Sequence, residues 1–184
     1  MRGFRLSIQF AMFSMLFLFI ACTSTKFPTL WKDETYQGPP TKIMVINAFP
    51  FPVTRRLFED EFVKALKDYK VDAVVSYTIM PDPIVPDKGT IMAQAKKVGA
   101  DTVLINKPFK VAQEETIDTG GPRYTDSADD LYINAQTDVY DIKSNRLVLS
   151  DTTVMWIRYD TPYATIINSY VKALVKKLSK QGLF

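Results

Sequence analysis

Histidine is absent from the 184 residues, and cysteine occurs once, at Cys22. The first absence removes the base of Ser-His-Asp and Cys-His catalysis and the usual zinc ligand sets. It also removes the side chain best suited to switching near neutral pH. A single thiol closes no disulfide within the chain, so the fold must rest on packing. Glycine is scarce, at 7 residues, and neither GxGxxG nor GxxxxGK[ST] occurs. A phosphate cradle aims backbone N–H groups at its ligand from a glycine-rich loop. The joint from Asn47 to Val53 has no glycine, and Pro50 and Pro52 each delete a donor. The joint carrying Pro81, Pro83 and Pro86 has the same defect. A nucleotide site is therefore disfavoured, and no metal or bound cofactor is expected. Charge of one sign is also lacking: 23 basic and 20 acidic residues leave +3. That balance disfavours a nucleic-acid partner, which would call for a basic face.

Long apolar runs are limited to one, at the start. Arg2 and Arg5 form a basic head, and Phe10 to Ala21 is apolar apart from Ser14. Even counted from Leu6, the run falls short of the roughly 20 apolar residues of a spanning helix. A basic head, a short apolar body and a small residue before the cut is the layout of a signal peptide. The residues Phe19-Ile20-Ala21-Cys22 resemble the lipobox of bacterial lipoproteins, with Phe19 where leucine is usual. The resemblance implies cleavage between Ala21 and Cys22, and a diacylglycerol thioether plus an N-acyl chain, commonly palmitate, on Cys22. Several acyl chains make such an anchor effectively permanent. Thr23 in place of aspartate after the cysteine implies the periplasmic face of the outer membrane. Removal of the first 21 of 184 residues leaves 163, with 21 basic residues against 20 acids. That is the size of one ordinary domain.

The expected organisation is a signal peptide over 1–21, a lipidated N-terminus and tether over 22–41, and one periplasmic domain over 42–184. The 23–41 stretch has no helical or alternating pattern, although Leu30, Trp31 and Tyr36 equip it to dock on its own domain or on a partner. Ile43-Met44-Val45-Ile46 reads as a buried strand. Thr54 is expected to cap a helix from Arg55 to about Tyr69, with Leu57, Phe58, Phe62, Ala65, Leu66 and Tyr69 on its apolar face. A valine-rich strand over 71–76 follows. A helix capped by Thr90 then ends at Gly99, and a third strand begins at Thr102. Strand, helix, strand, helix, strand with short joints predicts a parallel core with right-handed crossovers. Phe109 to Ile117 reads as an edge strand and 118–130 as a polar loop. Leu131–Ile142 and Arg146–Arg158 alternate as a long β-hairpin. A last helix opens near Pro162, carries Ile167, Tyr170, Val171, Leu174 and Leu178 inward, and stops at Gly182. The fold class is α/β with a mixed sheet: a βαβαβ core, then an antiparallel hairpin and a C-terminal helix.

Carboxylates are the remaining route to catalysis. Glu59-Asp60-Glu61, Glu114-Glu115 and Asp129-Asp130 are the clusters, and adjacent residues on an element point apart. They read as solvated surface charge rather than as an acid–base pair. Two surfaces are candidates for binding. Phe49, Phe51, Arg55 and Arg56 combine the residue types that anchor interfaces. Lys172, Lys176 and Lys180 recur every fourth residue on the last helix and could face anionic headgroups, although solvation and the helix C-terminus explain them more simply. For a small ligand such as a glycan fragment, Tyr132, Tyr140, Trp156 and the 118–130 loop could supply a stacking surface.

The βαβαβ core, the segment Val98 to Ile105 and the hairpin from Val139-Tyr140-Asp141 to Leu147-Val148-Leu149 resemble a group of envelope lipoproteins. The group includes the curli secretion channel lipoprotein, the Pel polysaccharide export lipoprotein, the lipoprotein activators of penicillin-binding proteins and the N-terminal domain of the Tol-system propeller protein. The resemblance spans about residues 42–181. It implies a non-catalytic interaction or assembly subunit of an export or cell-wall system, meeting envelope proteins or further copies of itself. The alternatives are a periplasmic small-ligand or glycan binder and a carboxylate-dependent hydrolase.

Overall fold

The computed structural model describes residues 24–36, 38–49, 51–81, 86–113, 131–157 and 161–184. The expected signal peptide, the expected Ala21–Cys22 cleavage site, the stretch expected as a loop over 118–130, Glu114-Glu115 and Asp129-Asp130 lie outside them. The elements are β1 (Ser24–Lys32), β2 (Lys42–Asn47), α1 (Pro52–Lys67), β3 (Asp72–Val75), α2 (Lys88–Lys97), β4 (Thr102–Gln113), β5 (Leu131–Asp141), β6 (Arg146–Ile157) and α3 (Tyr163–Lys180). The strands form one mixed sheet in the order β1-β6-β5-β4-β2-β3. β2 lies parallel to β3 and β4, and the remaining pairs are antiparallel. This is the mixed α/β architecture that the hydrophobic pattern predicts.

Two layers of helix explain the pattern of β2. Phe58, Phe62 and Leu66 of α1 and Tyr170, Leu174 and Leu178 of α3 cover one face, against Ile43, Val45, Leu104, Val139 and Leu149. Ile91, Met92 and Ala95 of α2 cover the other, against Met44, Ile46, Val103 and Ile105. Four successive residues of β2 are therefore wholly buried, as an uninterrupted apolar run requires. Each helix stops at a left-handed residue: Lys70, Gly99 and Gly182, with φ of 61°, 72° and 67°. In each case the next N–H reaches back five residues, from Val71 to Leu66, Ala100 to Ala95 and Leu183 to Leu178. Those bonds satisfy carbonyls that the last turn would leave unpaired.

Part of the segment expected to be a tether is instead sheet. Residues 24–32 form the edge strand β1, antiparallel to β6. Phe27 and Leu30 pack against the main core. The register slips between Lys26 and Thr29, around Pro28. Proline is tolerated at such an edge position, and the slip erases the alternation that would mark a strand. Lys32 Nζ fastens the strand's end by donating to the Gln181 and Gly182 carbonyls at 2.5 and 3.3 Å. The stretch from Phe109, expected as an edge strand, continues β4 past the end of its pairing with β2 at Asn106, and over 110–113 it is paired with β5 alone, beyond a slip between Pro108 and Lys110.

Two caps also differ from expectation. α1 begins at Pro52 with Phe51 before it, because proline at the first position needs no N–H partner. Thr54 is buried inside the helix, where its hydroxyl meets that of Tyr163 at 2.9 Å. Asp87, not Thr90, caps α2, accepting from the Thr90 N–H at 3.1 Å.

At the other end of the sheet Asp101 accepts from the Thr41 N–H at 2.8 Å, the Lys42 N–H at 3.3 Å and the Thr41 hydroxyl. Burial alone would push its carboxyl up, but the bonds from Thr41 and Lys42 outweigh it and hold the group below the ordinary range. A carboxyl lowered on folding contributes stability above its unfolded pKa and loses it as pH falls through the folded value. Acidification below about pH 4 should therefore lower the urea midpoint of the wild type more than that of Asp101→Asn. A second outcome separates strand from tether. Removing residues 24–32 should cost about 2–3 kcal/mol through Phe27 and Leu30, read as a lower unfolding midpoint, whereas loss of a free tether would leave it unchanged.

Candidate functional site

The carboxyl edge of the parallel strands, where α/β proteins usually bind ligands, is organised by one carboxylate. Glu59, in the second turn of α1, is wholly buried. Its Oε1 accepts from the Asn47 N–H at 3.0 Å, Arg55 Nε at 3.0 Å and Ser76 Oγ at 2.8 Å. Its Oε2 accepts from the Ser76 and Tyr77 N–H groups at 2.6 and 3.1 Å. Arg55 also donates to Ser76 Oγ and the Met80 carbonyl, both at 2.9 Å. One side chain thus ties together the end of β2, the turn after β3 and the first turns of α1.

This corrects two expectations. Glu59 is not solvated surface charge, and Arg55, only 2% exposed, is turned inward and presents nothing to a partner. Its neighbours behave otherwise. Asp60 accepts from the Tyr77 hydroxyl at 2.7 Å, and the exposed Arg56 lies over the Tyr77 ring at 5.5 Å. Glu61 accepts from Asn168 Nδ2 of α3 at 2.7 Å. Phe51 is 64% exposed and Val53 77%. Phe49 is half-buried. The proposed partner surface is thereby divided: Phe51 and Arg56 outside, Arg55 inside, and Phe49 in the wall of a cleft.

That cleft opens between the N-terminal turns of α1 and α3 and the inner face of the sheet. It encloses about 30 Å³, with Phe58, Met155, Ile166 and Ile167 in its walls and Tyr163 beside its mouth. At its base are Asn47 and Asn106, in register on the parallel pair β2–β4. Alternation puts both on the face of Val45 and Leu104, and they are 0% and 1% exposed. Asn106 Nδ2 donates to Thr137 Oγ1 at 2.9 Å and to the Tyr170 hydroxyl at 2.6 Å. Asn106 Oδ1 and both polar atoms of the Asn47 side chain have no hydrogen-bond partner among the described residues. Burial pushes the Tyr170 hydroxyl up to about 12, against bonds with Thr137, Asn106 and Thr153 that lower it. It stays protonated across the physiological range.

The buried acids do not form an acid–base pair on this cleft. Glu59 is saturated by five donors, Asp151 is paired with Lys177, Asp138 with Lys107 and Asp33 with Arg146. None of them belongs to the cleft lining. Burial pushes the Asp151 carboxyl up although Lys177 and Thr153 oppose it. Lys177 Nζ lies in turn 4.3 Å from the centre of the Phe27 ring of β1. Among the described residues, no cluster of three potential metal ligands occurs.

The expected stacking trio is not assembled. Tyr140 pairs with Leu147, nine residues along β6 from Trp156, a separation of about 30 Å at strand rise. Tyr140 instead receives Lys88 Nζ at 4.6 Å over its ring. The Tyr132 side chain lies outside the described residues, although its backbone pairs with Trp156. Lys172, Lys176 and Lys180 lie on the exposed face of α3. Sequence reasoning missed Glu59, Asn47, Asn106 and Tyr170 as site residues. The only signal for the asparagines is that each ends a run of buried apolar residues, Ile43–Ile46 and Val103–Ile105.

The class defined is therefore a six-stranded mixed α/β sheet with a cleft at the carboxyl edge of its parallel strands. No family model matches the chain, and no curated protein matches it. Solved structures share its fold. A PelC dodecamer from Paraburkholderia phytofirmans superposes with a TM-score of 0.53 at 12% identity, over 85% of this chain and 96% of that one. A variant PelC dodecamer from the same organism gives 0.52 at 11%, over 84% and 98%. The lipoprotein GNA1162 from Neisseria meningitidis gives 0.49 at 12%, over 77% and 99%.

The bonds of Glu59 have a measurable weight. Breaking a buried charged pair from one side typically costs about 3–5 kcal/mol. Glu59→Gln should lose about that much in urea denaturation, whereas Asp60→Asn, on the surface of the same helix, should change stability by under about 0.5 kcal/mol.

Proposed function

We propose that this protein is an envelope lipoprotein, anchored through Cys22 to the periplasmic face of the outer membrane, that works without catalysis by assembling with further copies of itself and with envelope proteins. The observation that carries the reading is the fold, shared along most of the chain with a protein that crystallises as a dodecamer. The start of α1 supports it by holding Phe51 and Val53 in solvent beside the exposed Arg56. A large apolar residue next to arginine is the composition of an interface anchor. The two most deeply buried acids among the described residues, Glu59 and Asp151, are committed to Arg55 and Lys177, consistent with a role in holding the fold.

The test uses the full chain extracted in detergent from its own membrane. Sedimentation should give a mass of several copies, and Phe51→Ser with Arg56→Glu should reduce it to one copy while shifting the unfolding midpoint little. Mass spectrometry should find diacylglycerol and an N-acyl chain on Cys22, and Cys22→Ala should leave the outer-membrane fraction. A monomeric chain that crosslinks to no envelope protein in cells would refute the assembly reading, and an unmodified thiol would refute the anchor.

A further inference from the structure

We infer that the end of the domain where β1 begins rests on the lipid leaflet, with Val53 and Tyr163 set among the acyl chains and headgroups. The inference rests on the anchor part of the reading above and is independent of its assembly part.

Topology brings three segments to this end. β1 runs antiparallel to β6, with Ser24 opposite Trp156 and Thr25 opposite Met155. Met155 is itself in the cleft wall, with Phe49, Thr54 and Tyr163. The starts of α1 and α3 meet there too, through the bond between the Tyr163 and Thr54 hydroxyls at 2.9 Å. Cys22 stands two residues before Ser24. Its backbone therefore lies within roughly 16 Å of the cleft wall, allowing about 3.5 Å for each residue step and about 5 Å between paired strands.

What this end presents is apolar. Phe51, Pro52 and Val53 are exposed in succession, and so are Pro162, Tyr163 and Ala164. Val53, at 77%, is the most exposed large apolar residue among those described, and Tyr163 is 44% exposed. The cleft that opens between the two helix starts is lined almost wholly by apolar surface. Hydrocarbon brought against that lining would strand no polar group on it. The first turns of α1 and α3 carry no acid, and the nearest charge on β1 is the exposed Lys26, so anionic headgroups meet no repulsion from them.

An exposed apolar patch marks contact with a protein or with a membrane. Here the place of the anchor decides between them. A patch tethered this close to an acylated cysteine meets the leaflet at high effective concentration, whereas a second protein must find it by diffusion. Val53 supplies apolar bulk, and Tyr163 an apolar ring with a polar tip, the pairing suited to a membrane interface. The inference makes no demand on Phe51 or Arg56, the residues assigned above to the contact between copies.

The experiment uses the full-length acylated chain in vesicles of phosphatidylethanolamine and phosphatidylglycerol. Val53→Cys, Ala164→Cys and, in the β5–β6 turn at the opposite end, Lys143→Cys each take an environment-sensitive fluorophore, Cys22 being blocked by its lipid. Emission from positions 53 and 164 should shift to the blue and be lost when the vesicles contain spin-labelled lipid. Emission from position 143 should stay that of a probe in water. Adding Val53→Asp should restore the signal at position 164. An acid in the first turn suits the helix dipole, so that variant should keep its unfolding midpoint. Equal insensitivity to spin-labelled lipid at 53 and 143 would overturn the inference. So would a blue shift at 53 without quenching, the signature of cover by another copy, which leaves the assembly reading intact. A chain that leaves the vesicles with an unmodified thiol, identified by its mass, would overturn the anchor and this inference together. Quenching at 53 in a chain that sediments as one copy would uphold the lipid contact while refuting assembly.

Discussion

The fold depends on where the Glu59 carboxylate puts its lone pairs. A buried anion is costly unless donors converge on it, and here five do, three of them backbone N–H groups at the ends of β2 and β3. Those ends belong to different crossovers, so their positions relative to α1 are not independent. With α1 fixed over the sheet, Thr54 meets Tyr163, and the first turn of α3 is fixed in turn. The cleft is the space left between these two helix starts. Its shape therefore follows from a single charge in the second turn of α1.

A second buried charge organises the opposite flank. Asp151 of β6 and Lys177 of α3 meet under the Phe27 ring of β1, joining strand, helix and edge by one ion pair. Phe27 shields the ammonium from water, and its ring face attracts the cation. Between the two centres runs a neutral chain of polar contacts through Tyr170, Thr137 and Asn106. The α1–α3 side of the sheet is thus threaded with polar contacts, whereas on the other face the residues against α2 are apolar and the polar cluster lies farther along, where Asp138, buried opposite Ile105, pairs with Lys107 and accepts from Gln136 and Ser150.

The apolar frame was legible in the residue pattern, because burial leaves a mark with a period. Val45 and Leu104 sit in runs buried on both faces, and Tyr170, Leu174 and Leu178 recur at helical spacing. The polar centre was not legible. Arg55 and Glu59 stand four apart on a helix, the spacing of an ordinary surface pair, and nothing local distinguishes a pair turned inward. β1 was hidden by Pro28, which breaks the alternation that marks a strand. Thr54 and Thr90 look like caps, but Pro52 and Asp87 had already supplied the helix starts. The cleft joins residues from β2, β4, α1 and α3, and so appears only once the topology is known.

The early start of β1 sets a mechanical limit. β1 includes Ser24, which leaves Thr23 alone between that residue and Cys22. Two residue steps span at most about 7 Å, whereas a free segment from 23 to 41 would wander over several times that distance. With Cys22 acylated as proposed, the body would ride directly on the leaflet, pivoting about one point like a mast in a short step. Copies so mounted would share a common height, and the search for one another would shrink from a volume to a plane.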